Sequence, residues 1–352
     1  MTTRPDLAQI DVLVPNFKRR LSGVTATIVR LVPLQARQMA VSAVAPDMPD
    51  HVPNILPWHL LTMPRRGPSG ARIWHARRNT EMLAGLLLKY VLRKRLKLVF
   101  TSASQRKHTG YTKWLIDRMD HLIATSQKTA GYLEHPADVI LHGIDTDQFT
   151  PSHDRTALRA QLGLPDSVLV GCYGRIRAQK GTGDFLEAMI PLMADRPRVH
   201  ALIMGRATEK HAQYERDLRA SAAQTGLGDR IHFLPEVPVQ DMADWYRALD
   251  LFVAPQRWEG FGLTPLEAMA CAVPVVATKV GAFPELITPS VGTLVDAQDA
   301  STMAQAIAAF LDNTAHREAA GQAARGHCET SFALEREADA LLAIYTRLLA
   351  ED

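Results

Sequence analysis

Cysteine is scarce in this chain of 352 residues: Cys172, Cys271 and Cys328 are odd in number, widely spaced and form no C-x-x-C pair. That excludes a disulfide framework and a thiolate zinc site, and it suits a reducing compartment. Long hydrophobic runs are lacking too. The most apolar helical stretch, residues 82–92, is broken by Lys89 and falls short of the ~20 residues that span a bilayer, so no transmembrane segment is expected. The first apolar stretch, residues 10–15, is only strand length and follows no basic start, so no secretory leader is expected and a cytoplasmic location follows. No internal repeat or low-complexity tract is present, and the P-loop spacing G-x-x-x-x-G-K-[ST] is missing.

What is there is size and an uneven charge. A chain this long, with 47% hydrophobic residues, is too large for one core and fits two domains of roughly 150–200 residues. The net charge of +3 hides an asymmetry. Residues 1–145 hold 21 Lys and Arg against 10 Asp and Glu, giving +11, whereas residues 146–352 hold 19 against 27, giving −8. The first half is the one that calls for an anionic partner.

From Ser167 onward short apolar runs alternate with helical patterns. The runs are residues 168–173, 199–204, 231–234, 251–254 and 274–277, with helices over 182–193, 210–223 and 264–271. Repeated β-α-β units fold as a parallel sheet covered by helices on both faces. The first half shows strands over 10–14, 41–45, 98–101, 121–124 and 139–141, while residues 46–72, rich in Pro, Gly and Arg, read as long loops. The expectation is an α/β protein with an acceptor-side domain over 1–150 and a second domain over 151–352, joined by a linker running to about Ala160. The C-terminal helix is a candidate to pack back on the first domain.

Two turns carry the chemistry. Pro255-Gln-Arg-Trp-Glu259-Gly-Phe-Gly-Leu-Thr-Pro-Leu-Glu267 begins at the carboxyl end of the 251–254 strand, where open α/β sheets bind ligands. Thr264, Pro265 and Glu267 read as a capping box, so the amides of Gly260, Phe261, Gly262 and Leu263 would face an anion at a helix start. Gly174-Arg175-Ile-Arg177-Ala-Gln-Lys180-Gly181 follows the 168–173 strand, and Arg175 and Lys180 can neutralise phosphate charge there. Alone, each element also reads as ordinary surface: Glu267 as a cap, Glu259 as a solvated charge, the Arg/Lys turn as a basic loop.

Together, Glu259-x7-Glu267 with Gly260-Phe-Gly-Leu, the Arg175/Lys180 turn about 80 residues upstream and the closing Pro-Val-Val-Ala-Thr strand resemble glycosyltransferase family 4. The likeness covers the second domain well and the first loosely. It implies the GT-B architecture, two Rossmann-like domains facing across a donor and acceptor cleft, and a retaining hexosyltransferase that uses a nucleotide-sugar donor without a metal or other cofactor. By similarity, Arg175 and Lys180 would hold the donor diphosphate, Glu267 the ribose, Glu259 the sugar hydroxyls, and the 261–264 amides the phosphate and sugar. An internal-return mechanism, in which the departing phosphate takes the acceptor's proton, is implied as well; double displacement stays open.

In the first domain the family's glycine-rich turn is reduced to Ser22-Gly23-Val24, which is either a ligand loop at Gly23 or an ordinary turn. The family's histidine near the donor sugar is either lost or moved to His108, and His142 stands where Asn is common. Met82, Leu83, Leu86, Leu87, Tyr90 and Val91 make one apolar helix face, followed by Arg93, Lys94, Arg95 and Lys97. That suits an anionic membrane surface, such as the cytoplasmic face of an inner membrane, or an anionic lipid-linked acceptor; it also suits a helix packed on its own sheet. The set looks most like bacterial lipopolysaccharide-core mannosyltransferases, with GDP-mannose as donor. The alternatives are a UDP-sugar transferase of the same family, a sugar-nucleotide epimerase of the same fold, and a non-catalytic basic protein that binds membrane or nucleic acid. No nucleic-acid partner is expected on the leading reading.

Overall fold

The computed structural model describes residues 5–18 and 23–351. The chain divides into two compact units, residues 1–142 with 334–352, and residues 143–333. Each is built on a parallel sheet with helices around it.

The first sheet has seven strands: β1 Val12–Pro15, β2 Val41–Val44, β3 Asn54–Ile55, β4 Arg72–Ala76, β5 Leu96–Ser102, β6 His121–Ala124 and β7 Asp138–Val139, in the order β3-β2-β1-β4-β5-β6-β7. The second has six: β8 Val168–Tyr173, β9 Val199–Met204, β10 Ile231–Leu234, β11 Leu251–Ala254, β12 Val275–Thr278 and β13 Gly292–Val295, in the order β10-β9-β8-β11-β12-β13. Strands buried on both faces need unbroken apolar runs, and β1, β2, β11 and β12 are buried at every position. In the second sheet the order reverses between β8 and β11, and such a switch point opens a crevice at the carboxyl ends of the two strands.

Both faces of the first sheet are covered. Val12, Val14, Ile73, Val99 and Ile123 point to one side, where Ile28 and Leu31 of the helix Gly23–Gln35 meet Leu341, Tyr345 and Leu348 of the C-terminal helix Leu334–Ala350. Leu13, Trp74, Leu98 and Phe100 point to the other, against Met82 and Leu86.

Three sequence expectations change here. Residues 46–72 are not only loops, since they hold β3, the short helix His59–Thr62 and the start of β4. β4 pairs with β1 and β5 at the centre of its sheet, although it carries Arg72 and His75. The single apolar face expected over residues 82–91 is split. The helix Asn79–Leu86 gives way to a π-helical turn over Leu87–Val91, so Met82 and Leu86 face the core while Leu87, Tyr90, Val91 and Leu92 are exposed.

Candidate functional site

The site in the second unit forms where the turns after β8 and β11 meet at the switch point. β8 is followed by Gly174, whose φ of 140° lies where side chains are strained. Gly205, at the end of β9, is pressed so close that a Cβ there would sit 1.9 Å from the Gly174 carbonyl oxygen. Ile176 is buried and its N–H donates to the Arg206 carbonyl at 3.3 Å, anchoring the turn. Arg175, one residue earlier, is exposed and makes no hydrogen bond or ion pair with the described residues. Gly181 closes the turn at φ 73° and caps the helix Thr182–Ala194.

The second turn locks onto the first. A Cβ on Gly181 would lie 1.8 Å from the Pro255 carbonyl oxygen, so only glycine lets the two backbones touch. The Arg257 N–H donates to the Gln179 carbonyl at 3.0 Å. The Arg257 guanidinium forks onto both oxygens of the buried Asp184 at 2.9 and 2.6 Å, and the hydrogen bond to Asp184 holds its pKa above the usual arginine value. Lys180 Nζ pairs with Glu259 Oε2, and the other Glu259 oxygen accepts the Gly260 N–H at 3.0 Å. Gly262 adopts φ 89° beneath this carboxylate. The structure thus joins residues 79 apart in sequence into one cluster.

Glu267 lies on the helix Thr264–Ala270 that follows. Thr264 is already helical and Leu263 is the N-cap, with no side-chain bond, so the expected capping box does not form. The reason is conformational. A capping threonine needs extended backbone, whereas the helix here starts one residue earlier and carries Pro265 within its first turn. The Thr264 hydroxyl is buried without a partner. The Glu267 carboxylate accepts the Tyr246 hydroxyl at 2.7 Å.

Of the expected residues, Arg175, Lys180, Glu259, Gly260, Phe261, Gly262, Leu263, Thr264 and Glu267 all belong to these two turns and the helix after them. Gly23 and His108 belong to the first unit. Gly23 opens its helix with ordinary φ and open space around it, so nothing there demands glycine; Ser22 lies outside the described residues. His108 sits beside Lys113, Tyr132 and Glu134 with Nε2 buried and unpartnered, and desolvation, then Arg106 and Lys113, lower its pKa. His142 Nδ1 meets the buried Glu337 at 2.8 Å. The one D-x-D triplet, Asp145-Thr-Asp147, makes a local turn: Asp145 Oδ1 accepts the N–H groups of Asp147 and Gln148 at 3.0 and 2.8 Å.

Asp184, Arg257 and Tyr246 carry no functional signal in the sequence alone. Tyr246 reads as one more apolar residue of a helix, and Asp184 as a first-turn acid; only their partners reveal more. None of the cysteines is a nucleophile, since burial pushes all three thiols up to about 12.

Known proteins match this arrangement. The family described as "Glycosyl transferases group 1" matches residues 154–327, which contain both turns. The lipopolysaccharide core biosynthesis mannosyltransferase LpsB of Rhizobium meliloti (strain 1021) is 50% identical over 98% of this chain and 99% of its own length. LpcC of Rhizobium leguminosarum bv. viciae, with the same described activity, is 47% identical over 99% of each. Among solved structures, Anabaena HepE in complex with UDP superposes with a TM-score of 0.83 at 20% identity, covering 96% of this chain and all of that one, a likeness of GT-B fold. With a matching fold, both turns in place and full-length relatives, the chain belongs to the group 1 glycosyl transferases.

Proposed function

We propose that this chain transfers mannose from GDP-mannose, with retention and without a metal, to a lipopolysaccharide-core or other lipid-linked glycan acceptor. The observation that carries the reading is the contact of Lys180 with Glu259, which gathers phosphate-neutralising and hydroxyl-binding groups at the switch point of the second sheet. The full-length relatives support the choice of mannose and of the acceptor class. A UDP-sugar donor is the second reading, favoured only by the fold shared with a UDP complex.

In this reading Lys180 and Arg175 hold the diphosphate, Glu259 accepts hydrogen bonds from sugar hydroxyls, and Glu267 accepts them from the ribose. The 261–264 amides, at the start of a helix whose first N–H groups have no intrahelical acceptor, complete the anion cradle. Without ligand, Glu259 neutralises Lys180. An arriving diphosphate takes over the ammonium and releases the carboxylate toward the sugar. The bond from the anomeric carbon to the phosphate oxygen then breaks, the acceptor oxygen bonds to that carbon, and its proton passes to the departing phosphate. Lys180 and Arg175 stabilise the charge that builds on that phosphate, the role a metal plays elsewhere.

The acceptor side is proposed for the first unit. Exposed Leu87, Tyr90, Val91 and Leu92 lie next to Arg93 and Arg95 in a half of the chain that carries +11, a combination suited to the anionic cytoplasmic face of an inner membrane. No helix among the described residues is long and apolar enough to cross a membrane. The test is transfer of labelled mannose from GDP-mannose to lipopolysaccharide-core acceptors in the presence of chelator. Labelled product with the α-configuration is expected. Transfer only from UDP-sugars would overturn the donor, and dependence on added divalent metal would overturn the metal-free chemistry.

A further inference from the structure

We propose that Tyr246 is a positioning residue that presents the Glu267 carboxylate to the ribose hydroxyls of the donor, an inference that rests on the reading of Glu267 as the ribose acceptor. Tyr246 lies on the helix Met242–Arg247 and is wholly buried. Its ring is held by three others: Tyr173 at 5.1 Å, Phe252 at 5.3 Å and Phe149 at 6.1 Å between centroids. The helix itself is pinned by the next residue, since Arg247 donates to the Thr150 and Gln148 carbonyls at 2.7 and 2.6 Å. A phenylalanine would satisfy every one of these ring contacts. The hydroxyl adds a single hydrogen bond among the described residues, to Glu267 Oε2 at 2.7 Å.

That bond has a clear consequence for the carboxylate. Glutamate has three rotatable side-chain bonds, and a group that must be ordered when ligand arrives weakens binding by the freedom it loses. A donor fixed in an aromatic cluster removes that loss beforehand, and a charge-assisted O–H···O⁻ bond is the stronger kind. Burial first, and Glu267 second, hold the phenol well above its ordinary pKa, so it stays a donor at any pH the protein meets.

The experiment is calorimetric titration of the full chain with GDP and with 2′,3′-dideoxy-GDP, the uridine pair run in parallel, for wild type, Tyr246→Phe, Glu267→Gln and the double variant. Wild type is expected to prefer the ribose form. Tyr246→Phe should bind GDP about tenfold more weakly, the factor that corresponds to ~1.4 kcal/mol, and the dideoxy form almost unchanged. The two substitutions should not add in the double variant, because both act on one contact. Equal weakening of ribose and dideoxy forms by Tyr246→Phe would show a merely structural role and overturn the proposal. So would a ribose preference that Glu267→Gln removes and Tyr246→Phe leaves whole. A wild type that binds both forms alike would overturn the ribose reading itself, and the positioning role with it. The urea midpoint of each variant checks that the fold survives.

Discussion

The tightest point of the site is also the easiest to perturb cleanly. Replacing Gly181 with Ala adds one methyl at φ 73°, which costs about 1–2 kcal/mol for the left-handed backbone alone. That methyl would sit 1.8 Å from the Pro255 carbonyl oxygen and 3.0 Å from the Pro255 Cβ, so the backbone of one turn must move. Overpacking of this kind costs about 1–3 kcal/mol more, for a total of about 2–5 kcal/mol. Gly163 supplies the control: its φ is 67°, but a Cβ there meets nothing within 4 Å, so Gly163→Ala should cost only the backbone share of about 1–2 kcal/mol. Urea unfolding of both variants reads the difference, and glycosyl transfer reads its effect on the Lys180–Glu259 contact. The expected result is a lower midpoint and much weaker transfer for Gly181→Ala, with near-normal transfer for Gly163→Ala. Equal midpoints would refute the claim that the two turns are in direct backbone contact.

Other perturbations separate the roles. Lys180→Ala should lower turnover by about 10²–10³-fold with an unchanged urea midpoint, the scale seen when one charge-stabilising group is removed; near-normal turnover would sink its assignment to the leaving phosphate. Arg257→Ala should lower transfer less, by about tenfold, because it steadies the loop through Asp184 and does not touch the donor in this account; a loss as large as that of Lys180→Ala would place it on the substrate. In the first unit, His75 is wholly buried between the Tyr345 hydroxyl at 2.5 Å and the Thr101 hydroxyl at 2.6 Å, and desolvation holds its pKa well below the ordinary value. Its folded value lies below the unfolded one, so the unfolded chain takes up the extra proton. Stability present above about pH 6.5 is lost as pH falls, by up to ~1.4 kcal/mol per unit from this residue. The partly buried His108, His200 and His232 shift the same way, so the share of His75 is the slope that His75→Gln removes between pH 7 and 5; equal slopes would contradict it. Tyr90→Ser with Val91→Ser should cut flotation with phosphatidylglycerol vesicles several-fold and leave donor hydrolysis unchanged, and unaltered flotation would remove this patch from the membrane contact.

The second sheet could be read from the sequence because its strands are apolar runs stopped by Gly, Pro or a charge. β8, β9, β10 and β11 begin and end where those runs do. β4 could not. Arg72 and His75 argue against a central strand until their partners are visible: Arg72 donates to the carbonyls of Ile10, Pro64 and Arg66, all within 2.9 Å, and His75 meets two hydroxyls. β13 gives little signal, because Gly292-Thr-Leu-Val is short and half polar. At the site, the residue types and the two turns were legible, since glycine, arginine, lysine and glutamate in those spacings have few uses together. Their contacts were not. That Lys180 neutralises Glu259, that Arg257 grips Asp184 and that Glu267 turns to Tyr246 depend on which side chains the sheet order brings together. The capping box illustrates this: its spacing was present, but the helix began one residue too early for the box to form.

The central claim is that the turns after β8 and β11 form a site for a nucleoside diphosphate sugar that needs no metal. Calorimetric titration of the full chain with GDP-mannose, GDP, UDP-glucose and UDP, with chelator present and with Lys180→Ala alongside, tests it most directly. Saturable one-site binding of GDP-mannose and GDP, weakened by Lys180→Ala, is the expected result. Binding that appears only on adding a divalent metal, or that Lys180→Ala leaves unchanged, would contradict it.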